Sequence, residues 1–232
     1  MTGDFASAPP ADGRSRQDGA DSQPATQQSA EQVFGVGLPL ARRYAALLAG
    51  PGVLRGLIGP RESDRIWQRH LLNCAVIEEL LPPDARIVDV GTGAGLPGLA
   101  LACARSDLRV DLVDSLRRRT DFLTEVVDDL TVGNRVRVVT GRVEDAAVRA
   151  TVGQARWVTA RAVAPLDRLA RWCLPLLEPG GQVLAMKGRR ADEEAATHTH
   201  AITRAGGSIV DVVRCGVGRV SEPPRVVRIL KR

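Results

Sequence analysis

Apolar positions follow two rhythms along this chain. Between residues 31 and 49, Leu40, Tyr44, Leu47 and Leu48 fall at helical spacing, and Gly50-Pro51-Gly52 predicts the stop. A second helix is predicted from Ser63 or Asp64 as N-cap to about Leu81, where Pro82-Pro83 ends it. Its apolar face carries Trp67, Leu71, Cys74 and Ile77. From residue 86 the rhythm shortens. Runs at 86–90, 109–113, 136–139, 157–160 and 183–186 read as buried strands. Helical patterns separate them: 99–104, 115–130 with Ser115 as cap, and 165–177 closed by Glu178-Pro179-Gly180-Gly181. A polar helix over 191–204 ends at Gly206-Gly207.

Two final strands, 209–213 and 226–230, have no helix between them. They are predicted to be neighbours joined by a hairpin-like excursion, which places an antiparallel region at or near one edge. The whole predicts an α/β fold: a doubly wound, mostly parallel, seven-stranded sheet with one antiparallel edge region, preceded by N-terminal helices. Residues 1–30 are built from Ala, Gly, Ser, Pro, Gln and Asp and are expected to be disordered. Residues 31–63 form an N-terminal helical segment in this reading, and 64–232 the main domain.

Charge changes the picture slightly. The net charge is +5. Residues 1–30 hold four Asp against two Arg, so the remainder carries +7, which favours an anionic partner. Lys187 and Lys231 are the only lysines. That skew is ascribed to nucleotide composition and is not taken as a sign of RNA binding. Cys74, Cys103, Cys173 and Cys215 lack C-x-x-C spacing and are expected to be reduced thiols. His198 and His200 point to different helix faces, so no metal is expected. The first residues lack an apolar stretch behind a basic start, and no apolar run approaches a membrane span. A cytoplasmic protein is expected.

The chemistry centres on Asp89-Val90-Gly91-Thr92-Gly93-Ala94-Gly95-Leu96-Pro97-Gly98, between a strand and a helix. Glycines there admit a ligand to the backbone. Gly93-x-Gly95-x-x-Gly98 matches a dinucleotide fingerprint, and Asp114 lies about 20 residues on, where an acid holds ribose hydroxyls. A nicotinamide-dependent reductase therefore stays in view. Against it, the spacing fails when counted from Gly91. The pattern acid-x-Gly-x-Gly-x-Gly from Asp89 is typical of S-adenosylmethionine sites, and there is no room for a separate substrate domain. After the third strand, the Val143 N–H and a carboxylate at Glu144 or Asp145 are placed to read an adenine edge.

These residues, with Arg69-His70-Leu71-Leu72-Asn73, Val113-Asp114-Ser115, Arg142-Val143-Glu144, Ala160-Arg161-Ala162 and Met186-Lys187-Gly188, resemble the small-subunit ribosomal RNA guanine-N7 methyltransferase G family, also called glucose-inhibited division protein B. The resemblance spans roughly residues 64–232. It implies a Rossmann-like class I methyltransferase fold and methyl transfer from S-adenosylmethionine to N7 of one guanine in the decoding-region loop of 16S rRNA. It implies cofactor contacts at Gly91, Leu96, Val143, Glu144 and Arg161, joined by Gly93 in the turn and by Asp114 through the ribose argument. Asn73, Cys74 and Ala94 depart from the family pattern, and its upstream Trp-Asn and Asn-Leu-Thr signatures are not visible.

Guanine N7 offers a lone pair and no proton, so no catalytic acid, base or nucleophile is expected. Arg161, ending the fourth strand, is expected to bind the methionine carboxylate or an RNA phosphate. Lys187, ending the fifth, is expected on a phosphate. Arg69 and His70 are expected to face RNA or to form a local salt bridge, and Arg117-Arg118-Arg119 a solvated helix face. Aromatics at 3% point to recognition of folded RNA through phosphates, in the small subunit or an assembly precursor, rather than base stacking. A monomer without DNA or membrane partners is the expectation. A non-catalytic RNA-binding assembly factor and a small-molecule or protein methyltransferase are the remaining alternatives.

Overall fold

The N-terminal chain folds onto the sheet before the first strand begins. The architecture is that of a computed structural model that describes residues 22–232; the first 21 residues of the stretch expected to be disordered lie outside the described residues. Within the remainder of that stretch the structure differs from expectation. α1 (Ser22–Phe34) is helical, and Ala30, Val33 and Phe34 are buried in the main core. α2 (Leu38–Leu47) follows. Gly50-Pro51-Gly52 does not stop it at once: Leu48–Gly52 continues as a wider, π-helical turn that contains Pro51.

The predicted second helix is present but irregular. It starts at Pro60 as a 3-10 segment (Pro60–Arg65), widens to a π-helical segment (Ile66–Leu72), passes through α3 (Asn73–Ala75) and ends as a 3-10 segment (Val76–Leu80). Ser63 is no N-cap; its hydroxyl donates to the Pro60 carbonyl at 2.8 Å. The apolar face survives these changes of winding. Leu71, Cys74 and Ile77 are fully buried, and Trp67 packs edge-on against Phe34, centroids 6.1 Å apart.

All seven strands form: β1 (Arg86–Val90), β2 (Arg109–Asp114), β3 (Val136–Thr140), β4 (Ala155–Arg161), β5 (Leu177–Lys187), β6 (Gly207–Arg214) and β7 (Arg225–Lys231). Their order is β3-β2-β1-β4-β5-β7-β6. β1 to β5 are parallel, and β7 runs antiparallel to both β5 and β6, as the missing final helix predicted. Glu178-Pro179-Gly180-Gly181 turns out to lie inside β5. Ala155 pairs with Leu177 and Trp157 with Gln182, so these residues form a bulge and not a closing turn.

Helices α4 (Gly98–Ala104), α5 (Arg117–Asp129), α6 (Ala146–Val152), α7 (Leu166–Cys173) and α8 (Ala191–Arg204) cover the two faces. Strand alternation divides the core. Ile87, Val110 and Leu112 face α4, α5 and the N-terminal helices, whereas Val88, Val90 and Val113 face the layer of α6, α7 and α8. Asp89 shares the Ile87 face, an acid pointing into an apolar layer. α5 begins at Arg117 without a side-chain cap; Ser115 is exposed, and the Asp114 carboxylate instead accepts the Leu116 N–H at 2.9 Å. The chain reverses its winding between β1 and β4, so the carboxyl ends of those strands border a crevice.

Candidate cofactor and substrate site

The glycine turn is held from below by a buried carboxylate. Asp89 Oδ2 accepts from the Thr92 hydroxyl at 2.6 Å and the Gly98 N–H at 2.8 Å, and Oδ1 accepts from the Thr159 hydroxyl at 3.1 Å. One side chain thus ties β1 to its own turn, to the start of α4 and to β4. Burial pushes its pKa up to about 6, opposed by the three hydrogen bonds and the nearby Arg161 charge. Gly91 adopts φ +66°, and a Cβ there would stand 2.8 Å from the Val163 methyls. At Gly95 a Cβ would meet Leu99 at 2.5 Å and the Tyr44 hydroxyl at 2.8 Å. Tyr44, from α2, donates to the Ala94 carbonyl at 2.8 Å, so the N-terminal helices brace the turn.

Above the turn lies a cleft of about 580 Å³. The seven positions expected to hold a cofactor all open onto it: Gly91, Gly93 and Leu96 from the turn, Asp114 from β2, Val143 and Glu144 after β3, and Arg161 from β4. Asp114 is held by the Gly93 N–H at 3.0 Å and pairs with Arg119 at 3.1 Å. The Val143 N–H has no protein acceptor among the described residues. Arg161 donates from one terminal nitrogen to Cys74 Sγ at 2.8 Å and from the other to His70 Nδ1 at 2.6 Å. Among the described residues it makes no ion pair. A half-buried cation therefore faces the cleft with two neutral partners.

Two expected RNA contacts are placed otherwise. His70 is 8% exposed and lines the cleft; its Nε2 meets Glu62 at 3.1 Å, and burial together with the Arg161 charge lowers its pKa. Both ring nitrogens are engaged, so it is no outward-facing phosphate ligand. The Lys187 side chain is also 8% exposed, and its ammonium donates to the Ala164 carbonyl at 2.7 Å and to Glu194 at 2.8 Å. Glu194 also accepts the Leu166 N–H at 2.8 Å. Lys187 thereby clamps the loop after β4, where Ala162 sits at φ +53°, a conformation that costs a non-glycine residue on the order of 1–3 kcal/mol. Arg69 is exposed and pairs with Glu62 at 3.1 Å, the local salt bridge of the alternative reading.

Sequence reasoning missed Arg119 and Val163 at the cleft wall and Thr92 and Thr159 beneath it. Arg119 was grouped with its exposed neighbours. One helical step separates it from them, enough to turn it to Asp114. Thr159 and Val163 carry no local signal, because Asp89 and Gly91, which they meet, lie far off in the chain; Thr92 stands inside the glycine motif, next to the acid it serves. All four cysteines are buried and unpaired, and no metal-ligand cluster occurs among the described residues.

The donor set fits S-adenosylmethionine. The Asp114 carboxylate suits ribose hydroxyls, the free Val143 N–H suits a purine edge, and a cation without a counter-ion suits a free carboxylate. It suits a dinucleotide poorly. The Gly98 N–H at the start of α4, where a diphosphate would sit, is already held by Asp89, whose charge would repel it.

Gly91→Asp is expected to weaken S-adenosylhomocysteine binding by at least about tenfold while the far-ultraviolet circular dichroism stays unchanged; wild-type affinity would contradict the placement of the turn. Asp89 generates a pH signature. Folding raises its pKa from 3.8 to about 6, so between those values the folded chain keeps a proton that the unfolded chain has lost. Its contribution to stability therefore falls as pH rises from about 4 to about 6, by on the order of 3 kcal/mol, and is flat above. Asp89→Asn should remove that fall, read as the difference between urea midpoints of the two proteins from pH 4 to 7. Parallel profiles would show that Asp89 keeps its ordinary pKa.

Comparisons with known proteins agree with this geometry. The family model described as rRNA small subunit methyltransferase G matches residues 38–221. A ribosomal RNA small subunit methyltransferase G of Salinispora arenicola (strain CNS-205) is 54% identical over 215 residues, covering 90% of this chain and 88% of the relative. Its namesake from Mycolicibacterium gilvum (strain PYR-GCK) is 54% identical over 204 residues, covering 88% and 89%. Among solved structures, the pyocyanin biosynthetic protein PhzM superposes with a TM-score of 0.55 at 14% identity, covering 76% of this chain and 60% of its own. An O-methyltransferase from neocarzinostatin biosynthesis, solved with S-adenosylmethionine, superposes at 0.51 and 21% identity, covering 64% and 49%. These two likenesses bear on the fold alone. The family match spans most of the chain, and the protein belongs to the rRNA small subunit methyltransferase G family.

Proposed function

We propose that this protein transfers the methyl group of S-adenosylmethionine to N7 of one guanine in the decoding-region loop of 16S rRNA. The observation that carries the reading is the cleft itself: an anchored acid, Asp114, and an uncompensated cation, Arg161, open onto the same glycine turn. On this reading Gly91, Gly93 and Leu96 shape the wall, Asp114 takes the ribose hydroxyls, Val143 and Glu144 take the adenine, and Arg161 takes the methionine carboxylate.

S-adenosylmethionine, when bound, would supply a methyl group activated by its sulfonium, for transfer to a guanine N7 that carries a lone pair and no proton. No proton moves, so the chain needs no general base. His70 fits that requirement, because both its nitrogens are committed to Arg161 and Glu62. The chain's contribution is alignment and exclusion of water, which suits a site made of backbone and fixed charges.

The excess of positive charge outside residues 1–30 supports an RNA partner. Arg142 supports it locally: it is exposed at the cleft rim and has no acidic partner among the described residues. No described helix is long and apolar enough to cross a membrane. We place the protein in the cytoplasm, as a monomer, on the small subunit or its precursor.

The test incubates the purified protein with methyl-labelled S-adenosylmethionine and small subunits from cells lacking the gene, then separates the nucleosides. Label in 7-methylguanosine at a single 16S position is expected. Label in another nucleoside, or none on either subunits or naked RNA, would overturn the proposal.

A further inference from the structure

We infer that Glu62 and His70, from the irregular helical stretch ahead of the sheet, are positioning residues that aim the Arg161 guanidinium at the carboxylate of the bound cofactor. The inference rests on the proposed role of Arg161 and extends it to residues outside the sheet.

The hydrogen bonds fix the protons. A guanidinium offers only donors, so His70 Nδ1, 2.6 Å from Arg161, is the unprotonated acceptor. The proton of the neutral ring therefore sits on Nε2, where it donates to Glu62 Oε2 at 3.1 Å. Glu62 selects the tautomer that His70 needs in order to hold Arg161. Cys74 Sγ, 2.8 Å from the other terminal nitrogen, completes the fork. The guanidinium is thus gripped at both tips, with no carboxylate in contact.

The absence of a carboxylate from that grip leaves the Arg161 charge available. A carboxylate in place of His70 would grip Arg161 equally well but would neutralise it. The imidazole instead separates the Glu62 charge from the guanidinium, and Glu62 spends its second oxygen on Arg69 at 3.1 Å. Asp89, the other acid near Arg161, is engaged by Thr92, Gly98 and Thr159. Arg161 is held still and left electrostatically unsatisfied, the condition under which an incoming anion gains most. The group of matching chemistry is the α-carboxylate of an amino-acid-bearing nucleoside.

The experiment compares two ligands by calorimetry. S-adenosylhomocysteine carries the carboxylate; 5′-methylthioadenosine shares the adenosine and sulfur but lacks the amino-acid end. Wild-type protein should prefer the first, and Arg161→Ala should lose that preference. His70→Ala should weaken S-adenosylhomocysteine by about tenfold and methylthioadenosine by less than about twofold, since only a hydrogen bond to the charged group is lost. His70→Asn, which keeps an acceptor near the Nδ1 position, should restore most of the preference. Glu62→Ala should reproduce the His70→Ala pattern more weakly.

Equal weakening of both ligands, or no change in either, would overturn the inference by reducing His70 to packing. Should His70→Ala fail to fold, Glu62→Ala decides by the same ratio. A wild-type protein that binds both ligands equally would instead overturn the Arg161 assignment itself. Loss of preference in Arg161→Ala with retention in every His70 and Glu62 variant would overturn the positioning role alone.

Discussion

A carboxylate buried in an apolar layer would ordinarily be a defect. Asp89 is fully buried, and the rest of the site is arranged around the cost of placing it there. Three donors satisfy it, one each from the turn, the start of α4 and β4. Satisfying the acid therefore fixes the relative positions of these three elements. Thr92, set between Gly91 and Gly93, is fixed by that constraint, and the Gly98 N–H at the start of α4 is taken up by it. Cofactor choice in this chain follows from where one buried charge finds its hydrogen bonds.

The second support comes from outside the sheet. Tyr44 reaches the turn through the Ala94 carbonyl, and His70 reaches Arg161 at the end of β4. Both lie on helices that precede β1, and both are buried in or beside the larger apolar core. The N-terminal helices are thus part of the cofactor site's wall. On the far side, the Lys187–Glu194 pair performs a comparable task for the loop after β4, through the Ala164 carbonyl and the Leu166 N–H. The cleft is braced from three directions, which suits the proposed mechanism of alignment without proton transfer.

Much of this was legible in the residues, for identifiable reasons. The buried strands announce themselves through β-branched runs, and the absence of a helix between residues 213 and 226 reveals the antiparallel edge. The turn, and the meeting of Asp114 and Arg161 at its cleft, were legible because glycine-rich turns and strand ends are local matters. His70 and Lys187 invited a phosphate reading because a basic side chain looks the same in a sequence whether it meets phosphate or a glutamate one helical stretch away. Their partners, Glu62 and Glu194, are defined only by the fold. The bulge at 178–181 was hidden for a similar reason. Pro-Gly-Gly reads as a turn, and only the pairing of Leu177 with Ala155 shows that the strand has already begun. The helix from Ser22 owes nothing to composition; it comes from Ala30, Val33 and Phe34 finding the core.

The central claim is that the Asp89-anchored turn builds a site for an amino-acid-bearing nucleoside and closes it to a dinucleotide. Titration calorimetry of the full-length protein with S-adenosylhomocysteine and, separately, with NADH tests it most directly. The account predicts saturable one-site binding of S-adenosylhomocysteine and no measurable heat with NADH. Saturable NADH binding, with none for S-adenosylhomocysteine, would contradict it.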